Sequence, residues 1–491
     1  MAIPILTVAP REMKGLNQAI DANLLDLSYS PDCQNIDVSE GILSVRGGSE
    51  KWPWISAAAP YPIRKIFQFA ASALQITIIG TRDGFTYRWY AWLSNAWSQI
   101  LFESTSTPLA LIPEFTSGLG YPVSGAPNYL LLAPDEGMVR LIYTGGLIKA
   151  ISVSSAPYGD FLTLHRERIW IARMVSSTVY YSNAFNPTDW TTAGQTGEIK
   201  IETGDGDRII GIANLLDDII IFKQNTMWRV SGDIPSEYSL SQVYAEQGVK
   251  YPESICSDGS YCFFAGADGI YQYTGNDAVP VLTDAIKNWW KSLVAGSIPS
   301  RDIKCTLNDG ILHVWNIGSL NGKQISYDVR KKRITVIKAQ TVYDSRNNAV
   351  AVAIPSSTPV TYVVYTDGEY IYRLRKTDLK FGTANIEAYW ITPETDLGSP
   401  NASKTLTDMY FTGWGSTNAG AAGGQVKITA YYNESGTQKN KEKTVTLQIS
   451  RKLHNVQWNV TGRLFKFKIE NVSGSIFNLS NLQFVFEVDR D

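Results

Sequence analysis

Histidine is scarce in this chain of 491 residues: only three occur, His165, His313 and His454, and they lie far apart. So few imidazoles leave little material for a histidine-rich metal centre or an acid–base relay. Cysteine is scarce too. Cys33, Cys256, Cys262 and Cys305 make no C-x-x-C pair and no framework spacing. They read as buried or incidental thiols of a chain made in a reducing cytosol. No apolar run reaches the roughly 18 residues that a membrane-spanning helix needs. The opening MAIPILTVAPREMKG lacks the basic start and long apolar stretch of a signal peptide. Net charge is −2 with acids and bases interspersed, so there is no cationic excess with which to grip nucleic acid by its phosphates. Catalytic signatures are missing as well. There is no G-x-S-x-G, no H-E-x-x-H and no G-x-x-x-x-G-K-[ST]; GSLNGK at 318–323 has the wrong spacing and is followed by Gln324.

What is present favours strands. Hydrophobic residues make up 44% and charged residues 18%, which is enough for a core and too apolar for disorder. The chain holds 26 Tyr, 14 Trp and 17 Phe, with 39 Gly and 21 Pro to supply turns, a mixture suited to sheets. At this length a single domain would have to be a closed repeat. LQITIIG (74–80), YLLLAP (129–134), RIWIARM (168–174), DIIIFKQ (218–224), YCFFAG (261–266), ILHVW (311–315) and TYVVYT (361–366) are short apolar or aromatic runs. Each is bounded by Gly, Pro, Asn or Asp, the signal of a strand. Only TDAIKNWWKSLVA (283–295) reads as a helix, with Ile286, Trp289, Trp290 and Leu293 on one face and Thr283 or Asp284 as cap.

Acidic-Gly dipeptides recur at Asp83-Gly84, Glu136-Gly137, Asp205-Gly206, Asp258-Gly259, Asp309-Gly310 and Asp367-Gly368, at steps of 51 to 69 residues. Such dipeptides suit hairpin turns, because Gly tolerates positive φ and Asp tolerates left-handed geometry. A step of roughly 40–60 residues is the size of a propeller blade. The expected architecture is therefore all-β: a β-propeller of six blades over residues 61–384, preceded by a connecting or platform segment at 1–60. GSTNAGAAGG (415–424) reads as a linker or loop tip. Beyond it, QVKITAYYNES, KTVTLQIS, HNVQWNV, RLFKFKIENV and NLQFVFEVDR alternate apolar with polar. That pattern predicts a separate antiparallel, sandwich-like domain over 385–491.

The candidate chemistry is thin. Glu202, Asp205 and Asp207 crowd a Gly-rich stretch that resembles the start of a calcium loop, but the full loop pattern and its distal Glu are missing. A plain turn between blades is the expected reading. Asp217 and Asp218 are the other close acid pair, and adjacent strand residues point to opposite faces. His313, inside the strand ILHVW, reads as a hydrogen-bonded structural histidine. TRDGFTYRW misses the spacing of a sialidase Asp box. No catalytic, cofactor-binding or metal residue is assigned, and no enzyme activity is expected.

PDCQNIDVSEGILSVRGGSEKW (31–52) resembles the N-terminal N-x-D-x-x-x-G-x-L-x-x-R-x-G element of the tail hub and nozzle proteins of short-tailed bacteriophages. That group includes the packaged-DNA stabilisation proteins. Asn35, Asp37, Gly41, Leu43, Arg46 and Gly48 are the matching positions. A central block is similar in order: RERIWIAR (166–173), VYYSNAFNPTDW (179–190) and GDGDRIIGIANLLDDIIIFKQNTMWRVSG (204–232), followed by FFAGADGIYQYTG and the helical segment. GRLFKFKIENVSGSIFNLSNLQFVF (462–486) looks like that group's closing strands. None of these motifs encodes catalysis; Arg46 also reads as a salt-bridged strand residue and Trp190 as a core anchor.

The resemblance implies a structural virion protein of a phage tail, synthesised in the host bacterial cytoplasm. It implies a homohexameric ring below a portal or adaptor protein, with propellers outermost and a channel that retains the packaged genome and later lets it pass. Partners would be the portal or adaptor above, a tail needle, plug, fibre or spike, and double-stranded DNA passing without tight binding. The alternative is a glycan-binding or glycan-degrading propeller, acting as receptor binder or depolymerase, which would need acids converging in its central depression. A tail-tip protein of a longer-tailed phage is a third possibility.

Overall fold

In a computed structural model the chain is described except for residues 1–4, 9–11, 39, 72–73, 124–125, 202–203, 205, 244–247, 283, 295–302, 317–322, 339–349, 354–361, 367, 375–379, 382–383, 418–422, 435 and 489–491. Among the described residues, strands pair into seven consecutive up-and-down sheets, here blades 1 to 7, at 63–99, 117–152, 161–200, 209–243, 256–280, 303–338 and 350–374. The first strands of the blades contact one another in sequence, and that of blade 7 contacts that of blade 1, closing a ring. The fold is a β-propeller.

Burial explains why the blades read as continuous apolar runs. In Arg168–Arg173 of blade 3, Ile169 and Ile171 pack with Leu130, Leu132 and Met138 of blade 2. Trp170 and Ala172, pointing to the other face, pack with Ile209, Ile219 and Ile221 of blade 4. Each blade is thus buried on both faces, and alternate residues of one strand belong to different cores. Separate apolar clusters fill the seams between blades 1 and 2, 4 and 5, 6 and 7, and 7 and 1. The seam between blades 5 and 6 runs on into the sandwich core.

The expected number of blades, six, was one too few. Five of the acidic-Gly turns lie within blades 1, 2, 5, 6 and 7, although Asp367 itself lies outside the described residues. Gly206 instead lies in the crossing from blade 3 to blade 4, next to Asp205, which is outside the described residues. Blades 3 and 4 make their first hairpins without glycine: Arg166, Glu167 and Leu216 adopt φ of 46°, 59° and 53°. One turn therefore stood for two blades.

The C-terminal strands form two packed sheets. One carries Lys452–Gly462, Lys404–Ser416 and Ile476–Val488; the other carries Tyr389–Ile391, Phe465–Asn471, Gln425–Glu434 and Thr437–Thr446. Phe467 stacks on Phe484 at 4.2 Å and Phe465 meets Phe486 edge-on at 4.9 Å, joining the sheets. Gly415 and Ser416 of the expected linker continue a strand, while 418–422 lie outside the described residues. The helix is shorter than expected, Lys287–Val294, and Trp290 anchors it through its indole N–H on the carbonyl of Ala267 at 3.0 Å.

The N-terminal segment threads both regions. Gly15–Leu16 and Tyr29–Ser30 extend blade 6. Asp32–Gln34 pairs with Tyr389–Ile391, and Leu43–Val45 pairs with Ile476–Val488, so each sandwich sheet receives a strand. Ser49–Lys51 then pairs with Ile371–Leu374 as the fourth strand of blade 7. The ring is closed by a strand from the start of the chain.

Candidate functional site

Asp207, the described acid of the suspected calcium loop, is buried and engaged. Its Oδ1 accepts the backbone N–H of Asn225 at 3.0 Å, and its Oδ2 accepts the Thr226 hydroxyl at 2.7 Å. Those partners form the turn between the second and third strands of blade 4. The same device recurs around the ring. In blade 3, Asp160 accepts the N–H of Met174 at 2.7 Å. In blade 5, the Ser254 hydroxyl accepts that of Ala265 at 2.8 Å. In each case an oxygen-bearing side chain just before the first strand satisfies a backbone N–H at the end of the second strand of its own blade or in the turn that follows it. Among the described residues no group of three His, Cys, Asp or Glu is placed to hold a metal ion.

The other candidate acids diverge. Asp217 pairs with Arg166 at 3.1 Å, while Asp218 pairs with Arg229 at 3.7 Å. Arg166 also reaches Asp233 at 2.7 Å. His313 Nδ1 is 2.7 Å from the Ser326 hydroxyl in a buried pair. His165 is buried, and burial followed by the neighbouring Arg166 holds its imidazole below the usual range. His454 stacks on Phe411 at 5.2 Å. Cys33, Cys262 and Cys305 are buried, Cys256 is half-buried, and all four are free thiols.

Across the ring, Glu253 accepts both 2.8 and 3.0 Å hydrogen bonds from the Lys65 ammonium, with Lys304 at 3.9 Å. Lys65 belongs to the first strand of blade 1, Lys304 to that of blade 6, and Glu253 to the turn before blade 5. The Lys65–Glu253 pair therefore joins blades that have two others between them, and it spans the propeller centre.

The N-terminal motif is a junction. Asn35 is fully buried at φ 52°, and its amide donates to the carbonyls of Lys338 at 2.9 Å and Glu387 at 2.8 Å. Its side-chain oxygen accepts the Lys338 N–H at 2.8 Å. One asparagine so ties the outer strand of blade 6 to the chain entering the sandwich. The other matching positions build the hairpin around it. Leu43 is buried and pairs with Leu479. Gly41 has φ 77°, and a side chain there would meet Glu12 at 2.7 Å. Arg46 donates its backbone N–H to the Asn35 carbonyl at 2.8 Å. Burial pulls its guanidinium down to about 10, opposed by Asp37 and Tyr365, so it stays charged at neutral pH.

The central block is braced in the same way. Arg168, buried, donates to the carbonyls of Ser182 at 2.9 Å and Gln195. Asp189 accepts from Thr192 at 2.6 Å and Asn183 at 2.9 Å and from the N–H groups of Thr191 and Thr192. These bonds, the Thr192 and Asn183 side chains first, hold its carboxyl well below the ordinary range. Trp190 packs against the seam of blades 2 and 3 and donates to the Pro187 carbonyl at 3.0 Å. The loop they fix presents Phe185 to solvent, 73% exposed at φ 58°. A lone apolar residue such as Phe185 or Leu216 carries no sequence sign that its backbone will be left-handed.

No protein-family model and no curated protein matches the sequence. Among solved structures the chain is similar to BBS1N, solved in complex with ARL6DN, at 12% identity and a TM-score of 0.41, over 68% of this chain and 99% of that one. It is similar to the WD40 domain of Neurospora crassa Pan2 at 10% identity and a TM-score of 0.39, over 69% and 97%. The AfRom2 CNH domain follows at 8% and 0.39, over 65% and 98%. Likenesses this distant carry no argument about what the chain does, and the propeller assignment stands on the strand pairing and the seams between blades.

Proposed function

We propose that this chain is a structural protein of a phage tail, a hub or nozzle subunit. Six copies form a ring below the portal or adaptor, retain the packaged DNA and provide the channel for its ejection. The observation that carries the reading is the N-terminal motif. Its six matching positions are those of the tail proteins it resembles, and five of them, Asn35, Asp37, Gly41, Leu43 and Arg46, lie in or beside the hairpin at the junction of propeller and sandwich. A motif spent on joining two rigid bodies suits an assembly subunit better than a catalyst. The Lys65–Glu253 pair adds a constraint: a contact of 2.8 Å across the propeller centre leaves no room for a duplex. DNA would pass along the axis of the ring of copies, not through each propeller. With a net charge of −2 the chain offers no cationic excess, so closure is steric, by loops or a bound plug, and retention depends weakly on salt.

Packaging is driven from the portal before a hub is needed, so heads made without this protein should fill. The decisive measurement is the DNA content of such purified heads over time. Loss of DNA at normal capsid composition supports the reading. Heads that keep their genomes and only fail to adsorb would replace it with a receptor-binding role.

A further inference from the structure

A cavity of about 600 Å³ opens between blades 3 and 4, on the face that carries their first hairpin turns. Four of its lining residues are non-glycine residues in the left-handed region: Arg166, Glu167, Phe185 and Leu216, at φ 46°, 59°, 58° and 53°. Bulky apolar residues rarely adopt this backbone, and such outliers gather where a surface is used. Neighbouring turns hold Phe185 and Leu216 there. The N–H of Phe185 donates to the Glu167 carbonyl at 2.9 Å, and that of Leu216 to the Gly259 carbonyl at 2.8 Å. The result is two apolar side chains turned outward, Phe185 73% and Leu216 65% exposed. Around them carboxylates gather: Asp217 at the cavity and Asp233 beside it both pair with the guanidinium of Arg166, two acids sharing one cation, and Glu167 lines the same cavity.

The complement lies on the sandwich. Where the chain passes from strand Thr437–Thr446 into strand Lys452–Gly462 it runs Ile-Ser-Arg-Lys-Leu at 449–453, every residue exposed. Ile449 and Leu453 are 59% and 66% exposed and bracket Arg451 and Lys452. Two outward apolar groups with two cations face, in chemistry, two outward apolar groups in an acidic setting. Both patches are exposed, so neither satisfies the other within one chain.

The geometry points to a copy-to-copy contact in which residues 449–453 of one chain dock on the cavity between blades 3 and 4 of the next. The contact is heterologous, joining two different patches, and such contacts build rings when the rotation closes. This inference rests on the ring reading above and adds the surfaces that make it. Charge pairing sets the orientation, and the apolar groups provide the buried centre.

The test uses two full-length variants, Asp217→Cys and Lys452→Cys, mixed at high concentration under mild oxidation. A disulfide-linked dimer should form about tenfold more in the mixture than in either variant alone, because a heterologous contact never brings two copies of one patch together. Adding Arg451→Glu to the Lys452→Cys chain should suppress that yield, and adding Asp233→Lys to the Asp217→Cys chain should restore it. Unchanged melting of each variant shows that the fold is intact. No excess of mixed dimer, or a yield indifferent to the charge reversals, overturns the contact. Tails of six copies without the cross-link would sink the contact and leave the ring. A specific cross-link in a protein absent from virions would do the reverse.

Discussion

The blades and the sandwich use the same kinds of strand residue and bury them differently. Cys262–Ala265 of blade 5 is buried at every position, whereas Lys452–Gly462 of the sandwich alternates exposed and buried over its second half. The cause is the number of neighbours. A blade sheet lies between two other blades, so both its faces are dry; a sandwich sheet has one partner and one wet face. Composition of a strand therefore reports its surroundings more than its backbone preference. The two regions are joined by the first 51 residues, which give strands to both.

Deleting residues 1–51 should have the largest effect. It strips blade 7 of its fourth strand, removes Asn35 from the junction and takes strands from both sandwich sheets. The expected outcome is a chain without a cooperative melting transition in calorimetry. A propeller that still melts sharply would show the two regions to be independent bodies with a shared tether.

Single core truncations come next. Phe222 fills the seam between blades 4 and 5, and Phe467 fills the sandwich. Phe222→Ala and Phe467→Ala should each cost about 3–5 kcal/mol, the usual loss for a buried ring. Because one apolar cluster runs from the seam of blades 5 and 6 into the sandwich, both should shift one common transition in denaturant melts. Two separable transitions, each moved by only one variant, would break that expectation.

Smaller again is Asp207→Ala. It leaves the turn N–H of Asn225 and the hydroxyl of Thr226 without their acceptor, which should cost about 1–3 kcal/mol. Melting curves in EDTA and in calcium should overlay for the parent chain. A calcium-dependent rise of many degrees would instead make this crossing a metal site.

The seven apolar runs quoted from the sequence all fall in the second strand of their blades, one per blade. These strands were legible because a strand buried on both faces leaves a plain apolar trace. The turn count failed because left-handed turns do not require glycine: Arg166-Glu167 and Leu216 take that geometry unaided. The alternating sandwich strands were legible for the opposite reason, one wet face each. The junction was visible only as a motif. Nothing local in Asn35 tells that its side chain bonds residues 303 and 352 positions away. The exposure of Phe185 and Leu216 had no sequence signal, because it follows from backbone geometry held by neighbouring turns.

The smallest effect expected is one of pH, and it probes the two regions with one residue type. His165 lies in blade 3, where burial, then Arg166, lowers its pKa against the opposing pull of Asp217 and Asp218. His454 lies in the sandwich, where burial, then Lys452, lowers it too. Both folded values sit below the unfolded one, so the fold favours the neutral rings. Stability is then fully present above the unfolded value of about 6.5 and is lost as pH falls through the folded values. His165→Gln and His454→Gln should each flatten the decline in stability between about pH 7 and pH 5, leaving the neutral-pH slope unchanged. If propeller and sandwich unfold as one unit, each variant flattens the same curve and the double variant adds the two effects, since the sites share no partner. If the regions unfold separately, each variant alters only its own transition. A decline left unchanged in both variants would mean that other groups carry the pH dependence and that neither ring is held neutral by its surroundings.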